Sequence, residues 1–245
     1  MIVTPHFVFL HLHRTGGRFV RQLLLDQVEG SREIGYHFPA ALIPASHCHL
    51  PVLGLVRDPW DWYVSWYEFN RARPRSAIFT VASAGGRLDF RHTLLNMLWL
   101  GSDEPRMRQL KSDMIGQLPR SILGNRGAGI TQHDLAGFNC GQTGYYSWLV
   151  QHMYGARLLQ PDMLLGHFEN LREDLLRLLL ESGCKLTADM VQTLRTAAPA
   201  NASCRGITAD YYDAETWQAV AHQEAWICRQ FDYPARQSDS IAVPE

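Results

Sequence analysis

The fold of this chain is decided near its N-terminus by the stretch His6-Phe-Val-Phe-Leu-His-Leu-His-Arg-Thr-Gly-Gly-Arg18. Its first half is a short apolar run rich in strand-forming residues, and two adjacent glycines interrupt that run. Apolar residues then recur at helical spacing from Phe19 to Val28. The stretch therefore predicts a buried strand, a tight glycine turn and a helix.

A second unit of the same kind begins at Pro51. The residues Pro51-Val-Leu-Gly-Leu-Val56 predict another buried strand, and Arg57-Asp58-Pro59 follows it directly. Proline suits the first turn of a helix and aspartate suits its N-cap, so Asp58 is expected to cap a helix that ends near Arg71.

The rest of the chain continues this alternation. Helices are predicted over 90–100, 106–118, 144–154, 171–180 and 209–231, a strand over 163–168, and a loop over 124–129. Strands that alternate with helices indicate a parallel sheet with helices on its faces. We therefore expect one α/β domain over 1–236, with a central parallel sheet flanked by helices, and a flexible tail over 237–245.

The composition and net charge of the chain argue against several classes of function. The chain has 245 residues, 46% of them hydrophobic, and a formal net charge of −1. A sizeable core can form, and nothing favours nucleic-acid binding. No apolar run approaches the length of a membrane span and no signal peptide is evident, so a cytoplasmic protein is expected.

The basic residues and the cysteines indicate what kind of anion site and what state of the thiols to expect. Of the 23 basic residues only Lys111 and Lys185 are lysines, so an anion site here would be built from arginines. The five cysteines are scattered and form no C-x-x-C pair, which favours reduced structural thiols.

The two strand-to-helix turns carry the residues that suit an anion. Backbone N–H groups of the Gly16-Gly17 turn can converge on a phosphate at the start of a helix, with Arg14 and Arg18 beside it. The alternative is an ordinary turn with two solvated arginines, and no Walker A sequence is present.

The second turn places Arg57 at the carboxyl end of a strand, where open α/β sheets bind ligands. Ser65 follows about two helical turns along. A guanidinium and a hydroxyl together can hold one phosphate. The alternative is that Arg57 pairs with Asp58 at the surface.

Together these segments resemble a known family. Residues 9–19 look like the 5′-phosphosulfate loop of sulfotransferases that use 3′-phosphoadenosine-5′-phosphosulfate (PAPS), and Arg57 with Ser65 looks like their 3′-phosphate motif. The segments Phe168-Glu-Asn-Leu171 and Asn201-Ala-Ser-Cys-Arg-Gly206 are similar to later elements of bacterial and Golgi-type members. The resemblance leaves roughly 76–140 unmatched.

The resemblance implies a P-loop NTPase-like sulfotransferase fold, PAPS as the donor and no metal. The residues it places around the 5′-phosphosulfate are Arg14, Thr15, Gly16, Gly17 and Arg18. Those it places at the 3′-phosphate are Arg57, Ser65, Arg205 and Gly206. The family usually has Lys where this chain has Arg14, and Thr or Ser where it has Arg18.

The activity implied is sulfuryl transfer to a hydroxyl or amine of a small metabolite, a saccharide or a peptide tyrosine. Arg14 is expected to stabilise charge on the leaving phosphate. His37, in the segment Gly35-Tyr-His-Phe-Pro39, is the expected base, because similar Gly-x-His or Gly-His segments supply a catalytic histidine in several sulfotransferases. Glu33 is the second candidate, since some members use a carboxylate. The sequence leaves the acceptor and the oligomeric state open.

Other readings remain. A catalytically lapsed module that binds a 3′-phosphonucleotide is the main alternative, and a P-loop nucleotide kinase is a further one. The histidines of His11-Leu-His13 and His47-Cys-His49 lack a convincing set of further metal ligands. Trp60, Trp62 and Trp66 are expected to belong to the core rather than to an acceptor platform.

Overall fold

The computed structural model describes residues 1–73, 76–122, 129–197 and 206–234. Arg205, the tail over 237–245 and all of the predicted 124–129 loop except Gly129 lie outside these residues. The chain divides into two compact units, each assembled from separated stretches. The first comprises Met1–Arg57, Ile115–Gly137 and Leu149–Cys204, and the second comprises Asp58–Met114, Phe138–Trp148 and Arg205–Glu245. The predicted domain boundaries stay a prediction.

The first unit contains a five-stranded sheet. Its strands in chain order are β1 (Ile2–Val3), β2 (Val8–Phe9), β3 (Arg32–Glu33), β4 (Val52–Val56) and β5 (Met163–His167), and their order across the sheet is β3-β1-β2-β4-β5. Strands β2, β4 and β5 run parallel to one another, whereas β1 is antiparallel to both β2 and β3.

The α/β class with flanking helices is confirmed, but the expectation of a parallel sheet is wrong for the β1 and β3 side. The cause is a tight turn at Thr4 to Phe7. The Thr4 N–H donates to the Phe7 carbonyl at 3.0 Å, and the Phe7 N–H donates to the Thr4 hydroxyl at 2.9 Å. This turn folds β1 back beside β2, so the sheet is mixed.

Eleven helices are present in the described part of the chain. They are α1 (Gly17–Gln27), α2 (Pro59–Ala72), α3 (Ala77–Ala82), α4 (Phe90–Leu98), α5 (Pro105–Gln117), α6 (Gln132–Ala136), α7 (Tyr145–Tyr154), α8 (Leu171–Glu181), α9 (Ala188–Thr196), α10 (Ala214–Gln223) and α11 (Ala225–Gln230). Asp58 is the N-cap of α2, as predicted, and its carboxylate accepts the Asp61 N–H at 3.0 Å.

The core of the first unit lies between one sheet face and three helices. Leu53 and Leu55 of β4 and Phe9 of β2 are buried against the apolar faces of α1, α8 and α9. The helical side chains that fill this layer are Val20, Leu23, Leu24, Leu175, Leu178, Leu179, Met190 and Leu194. The apolar spacing that predicts α1 and α8 is therefore the spacing of their buried faces.

The sheet opens where β2 ends. Leu10 still donates its N–H to the Leu53 carbonyl at 2.9 Å, and the chain then leaves β4. At Leu55 the Tyr154 hydroxyl takes over: it accepts the Leu55 N–H at 3.0 Å and donates to the Leu55 carbonyl at 2.8 Å. Gly54 leaves room for this ring, since a β-carbon there would lie 2.6 Å from Tyr154 Cε1. The segment after Leu10 is thus released from the sheet.

The second unit has an aromatic core. Trp60, Trp62 and Trp66 are all buried, and the Trp62 ring stacks on that of Tyr146 with centroids 4.4 Å apart. Trp60 likewise stacks on Trp217 at 5.0 Å. The expectation that these tryptophans belong to the core is confirmed.

The single helix predicted over 209–231 is wrong. A 3-10 turn at Thr208–Tyr211 precedes α10, and α10 and α11 are separated at Glu224. The buried Glu224 carboxylate accepts hydrogen bonds from the Tyr63 hydroxyl, the Tyr146 N–H, and both the N–H and the hydroxyl of Ser147, at 2.6–3.1 Å. These hydrogen bonds satisfy the buried Glu224 carboxylate at the start of α7. Helical periodicity in the sequence does not reveal this long-range role of Glu224.

Candidate functional site

The predicted site residues of the first unit gather at one edge of its sheet. Strands β2, β4 and β5 are parallel, so their carboxyl ends share that edge, where α/β sheets bind ligands. The guanidinium of Arg57 follows β4 and donates from Nη1 to the Arg14 carbonyl at 2.7 Å. Its Cζ lies 3.9 Å from the centroid of the Phe168 ring. Arg57 therefore connects the glycine turn with the segment after β5.

The glycine turn is shaped by its neighbours. Gly16 has a left-handed φ of 77° and is the N-cap of α1, whose start has no side-chain cap and no acidic residue in its first turn. A β-carbon on Gly16 would lie 2.9 Å from Leu171 Cδ2. A β-carbon on Gly17 would lie 1.8 Å from Cδ2 of the His11 ring. Only glycines fit this turn as it is packed.

The three other residues predicted in this turn differ in their surroundings. The buried Thr15 hydroxyl donates to the Leu12 carbonyl at 3.0 Å, so its side chain is engaged within the protein. Arg14 is half-buried and Arg18 is exposed. The turn therefore offers backbone N–H groups and two arginines to a ligand, with the threonine side chain turned inward.

Backbone strain marks Arg14 and His37. Arg14 has a φ of 61° and His37 a φ of 54°, values that favour glycine. Among the described residues other than glycine only Ala84 and Asp232 share this region. Such conformations cost about 1–3 kcal/mol each and cluster at functional sites. Both residues that the sequence analysis assigns a catalytic role are strained in this way.

His37 is buried, at 9% exposure, and its ring is fixed by several contacts. Its Nδ1 lies 2.6 Å from the His11 carbonyl. A carbonyl oxygen only accepts, so Nδ1 carries the proton and Nε2 carries the lone pair of the neutral ring. The His37 and His13 rings stack with centroids 3.7 Å apart and planes 11° from parallel. A neutral imidazole with one nitrogen so held has the form of a general base.

Burial keeps these imidazoles neutral. Desolvation lowers the pKa of His37 well below its ordinary value of 6.5. The charge of Arg14, and the charges of His11 and the Met1 amine when these are protonated, lower the pKa further, whereas the hydrogen bond to the His11 carbonyl raises it. The pKa of His11 is lowered in the same direction, chiefly by burial. At neutral pH both rings are therefore uncharged.

Tyr36 is a neighbour of this group that the sequence analysis did not select. Its ring meets the rings of His11 and His37 edge-on, at 4.7 and 4.4 Å. Burial raises the pKa of its hydroxyl, and the nearby charges of Arg21, Arg18 and Arg14 act in the opposite direction. The sequence signal for Tyr36 was its position next to His37 in the Gly35–Pro39 segment.

Glu33, the second candidate base, lies in β3 and is paired. Arg21 donates to its carboxylate from Nε at 3.0 Å and from Nη2 at 2.7 Å. A carboxylate held by both arms of a guanidinium is a weaker base than a free one. The geometry therefore favours His37 over Glu33.

The remaining residues of the predicted 3′-phosphate motif lie elsewhere. Ser65 belongs to the second unit, where it is buried in α2, and Gly206 is an exposed residue of the same unit. Arg205 lies outside the described residues. Their predicted part in the motif stays a prediction.

Four of the five cysteines lie in the described part of the chain. Cys48, Cys140, Cys184 and Cys228 are free thiols, and burial raises the pKa of the last three. Within the described ranges, no three His, Cys, Asp or Glu side chains are grouped to hold a metal ion. None of the described helices has the length and apolarity needed to cross a bilayer.

The chain matches no protein-family model, no curated protein and no solved structure. The resemblance to sulfotransferases rests on the four sequence segments that carry it and stays a prediction.

Proposed function

We propose that this protein is a PAPS-dependent sulfotransferase that transfers a sulfuryl group to a hydroxyl or amine. The observation that carries the proposal is the 2.7 Å hydrogen bond from Arg57 to the Arg14 carbonyl. This bond joins the turn that carries Arg14 to the turn that carries Arg57, at the carboxyl ends of parallel strands. A nucleotide with a 5′-phosphosulfate and a 3′-phosphate needs both turns close together.

The residues of the first turn suit the 5′ end of the donor. The uncapped start of α1, the left-handed Gly16 and the arginines at 14 and 18 provide N–H groups and positive charge for an anion. The buried guanidinium of Arg57 is a rigid fork suited to the 3′-phosphate. The resemblance to sulfotransferases assigns Ser65, Arg205 and Gly206 to the same phosphate. No metal ion is part of the proposal.

In the proposed reaction PAPS supplies the sulfuryl group. His37 Nε2 accepts the proton of the acceptor as the acceptor oxygen or nitrogen forms its bond to sulfur. The bond from sulfur to the 5′-phosphate oxygen breaks, and its electron pair stays on that oxygen. Arg14 and the N–H groups of the glycine turn stabilise the resulting charge. The fixed Nδ1–H of His37 leaves Nε2 available for this role.

Donor binding is tested by thermal-shift titration with 3′,5′-ADP, 5′-ADP and 5′-AMP. A hundredfold excess over Kd stabilises the folded state by about 2.7 kcal/mol, or roughly 5–10 °C for a chain of this size. We expect this shift with 3′,5′-ADP only, its loss in Arg57→Ala and its weakening in Arg57→Lys. The matched control is Arg195→Ala, which removes an exposed arginine of α9 and should keep the shift. An equal shift with 5′-ADP, or a full shift in Arg57→Ala, contradicts the proposal.

The role of Arg14 is tested by steady-state kinetics. Because the charge it faces grows as the bond to the leaving phosphate breaks, Arg14→Ala should lower kcat far more than it weakens donor binding. An equal loss of both would assign Arg14 to donor binding alone.

A second candidate is a catalytically lapsed module that binds 3′-phosphonucleotides. It is favoured by the inward-turned Thr15 hydroxyl and by Arg18, which stands where the family has Thr or Ser. This module predicts the 3′,5′-ADP shift without turnover of PAPS against a broad acceptor panel. A nucleotide kinase predicts dependence on ATP and Mg²⁺ instead.

A further inference from the structure

Three imidazoles are packed together beside the glycine turn. The His37 ring stacks on that of His13 with centroids 3.7 Å apart, and it lies 4.5 Å from that of His11 at a tilt of 43°. His11 and His13 belong to the segment that leaves the sheet after Leu10, while His37 follows β3. The cluster therefore joins two segments that are distant in sequence.

Each contact restrains His37 in a different way. The Nδ1 contact with the His11 carbonyl fixes the direction of the ring edge, since a flipped ring would lose it. The stack on His13 fixes the ring plane. The backbones of Gly129 and His37 approach closely: a β-carbon on Gly129 would lie 1.9 Å from the His37 carbonyl oxygen, and the Gly129 carbonyl lies 2.9 Å from His152 Nε2.

Of these restraints, the stack is the one that a side-chain substitution removes without touching His37. The His11 contact uses a backbone carbonyl, and the Gly129 contact is between backbones. The titratable and charged groups that surround His37 are His11, His13, Arg14, the Met1 amine and Tyr36. Of the three aromatic rings among them, those of His11 and Tyr36 are inclined to the His37 ring by 43° and 71°, and that of His13 lies within 11° of parallel.

We propose that His13 is a positioning residue for His37: its stacked ring holds the His37 ring in the plane in which Nδ1 donates to the His11 carbonyl, and so keeps the tautomer with the proton on Nδ1 and the lone pair on Nε2. The inference rests on the proposed function only in giving His37 its role as the base. The tautomer itself is a property of the free protein and can be measured without donor or acceptor.

The first test is ¹⁵N NMR of the histidine side chains in the full chain. In the unsubstituted protein we expect His37 to show one tautomer, protonated on Nδ1. His13→Phe keeps an aromatic face without nitrogens and should retain that tautomer. His13→Leu keeps bulk without a ring and should give an average of both tautomers, as should His13→Ala. The control His49→Ala removes an exposed histidine and should change nothing for His37.

The outcomes separate the two proposals. If His13→Leu and His13→Ala retain the single His37 tautomer, the positioning role is overturned, whatever the enzyme does. If the tautomer is lost but no PAPS turnover exists in the unsubstituted protein, the positioning role stands and the sulfotransferase proposal fails.

Where turnover exists, a second readout applies. His13→Ala should lower kcat about tenfold or more, part of the 10²–10⁴-fold that a positioned base contributes, with little change in donor KM. The acidic limb of its pH–rate profile should move up toward the ordinary histidine range, while that of His13→Phe should stay in place. Unchanged kcat and pH profile in His13→Ala would overturn the proposal.

Discussion

Gly17 links the glycine turn to the cluster of His11, His13 and His37. Unlike Gly16, it does not need a left-handed φ; the constraint on it is space, because the His11 ring occupies the volume that a β-carbon would fill. His11 in turn presents the carbonyl that holds His37 Nδ1. A change at position 17 therefore reaches the proposed base without contacting it.

We expect Gly17→Ala to lower the free energy of unfolding by about 1–3 kcal/mol, the usual cost of forcing extra volume into packed surroundings. Gly116→Ala is the matched control, since a β-carbon there in α5 would meet nothing within 4 Å. That control should be neutral or stabilising by up to about 1 kcal/mol. Urea unfolding of both variants measures the difference, and similar midpoints for the two would contradict this account.

At this scale the sequence identified candidate residues but not their backbone conformations. The glycine turn and its flanking arginines indicate an anion site from the sequence alone. The left-handed φ of Arg14 and His37 could not be foreseen, since nothing local favours it. In the folded chain the His37 carbonyl lies against Gly129, a residue distant in sequence, where a β-carbon would come within 1.9 Å of it.

Elements with a strong local pattern were predictable, and those fixed by distant partners were not. Strands β4 and β5 are continuous apolar runs and appear within one residue of their predicted bounds. The two-residue strands β1 and β3 carry too little pattern to identify, because their pairing depends on the Thr4 turn. The break between α10 and α11 likewise follows from what Glu224 binds, not from its helical spacing.

At the end of α7, the Tyr154 hydroxyl binds the backbone of Leu55 where β4 has no neighbouring strand on that side. The substitution Tyr154→Phe tests the contribution of this hydroxyl. The substitution keeps the ring but leaves the buried N–H and carbonyl of Leu55 without the hydroxyl that binds both. Unsatisfied buried groups of this kind cost about 1–3 kcal/mol. We expect a corresponding loss in the free energy of unfolding and faster amide hydrogen exchange at Leu55. Unchanged exchange at Leu55 would show that the hydroxyl is dispensable.

At the scale of the whole molecule, buried neutral histidines make stability depend on pH. His11 and His37 have folded-state pKa values well below 6.5, whereas in the unfolded chain they titrate near 6.5. Below that pH the unfolded state binds more protons than the folded state, so the contribution of these two neutral rings to the free energy of unfolding is fully present above pH 6.5 and is lost as the pH falls. Each histidine contributes up to about 1.4 kcal/mol per pH unit.

Urea unfolding of the full chain between pH 6.5 and 5 measures this slope. His37→Gln should reduce the slope by up to about 1.4 kcal/mol per pH unit, because the variant lacks one buried imidazole. His49→Ala, which removes an exposed histidine, should leave the slope unchanged. An equal slope in His37→Gln and the unsubstituted protein would show that His37 takes up its proton in the folded state as readily as in the unfolded chain.

The order in which the sheet is built from the chain has a consequence for synthesis. Strand β4 is central, yet its partner β5 begins about a hundred residues later. At about 5–20 residues per second, a ribosome takes roughly 5–20 s to make the intervening chain. During that interval the backbone N–H and C=O groups on the β5 side of β4, a strand with only apolar residues, have no partner strand, and such an edge templates aggregation. Production of this protein should therefore benefit from slow induction and from chaperones that shield nascent strands.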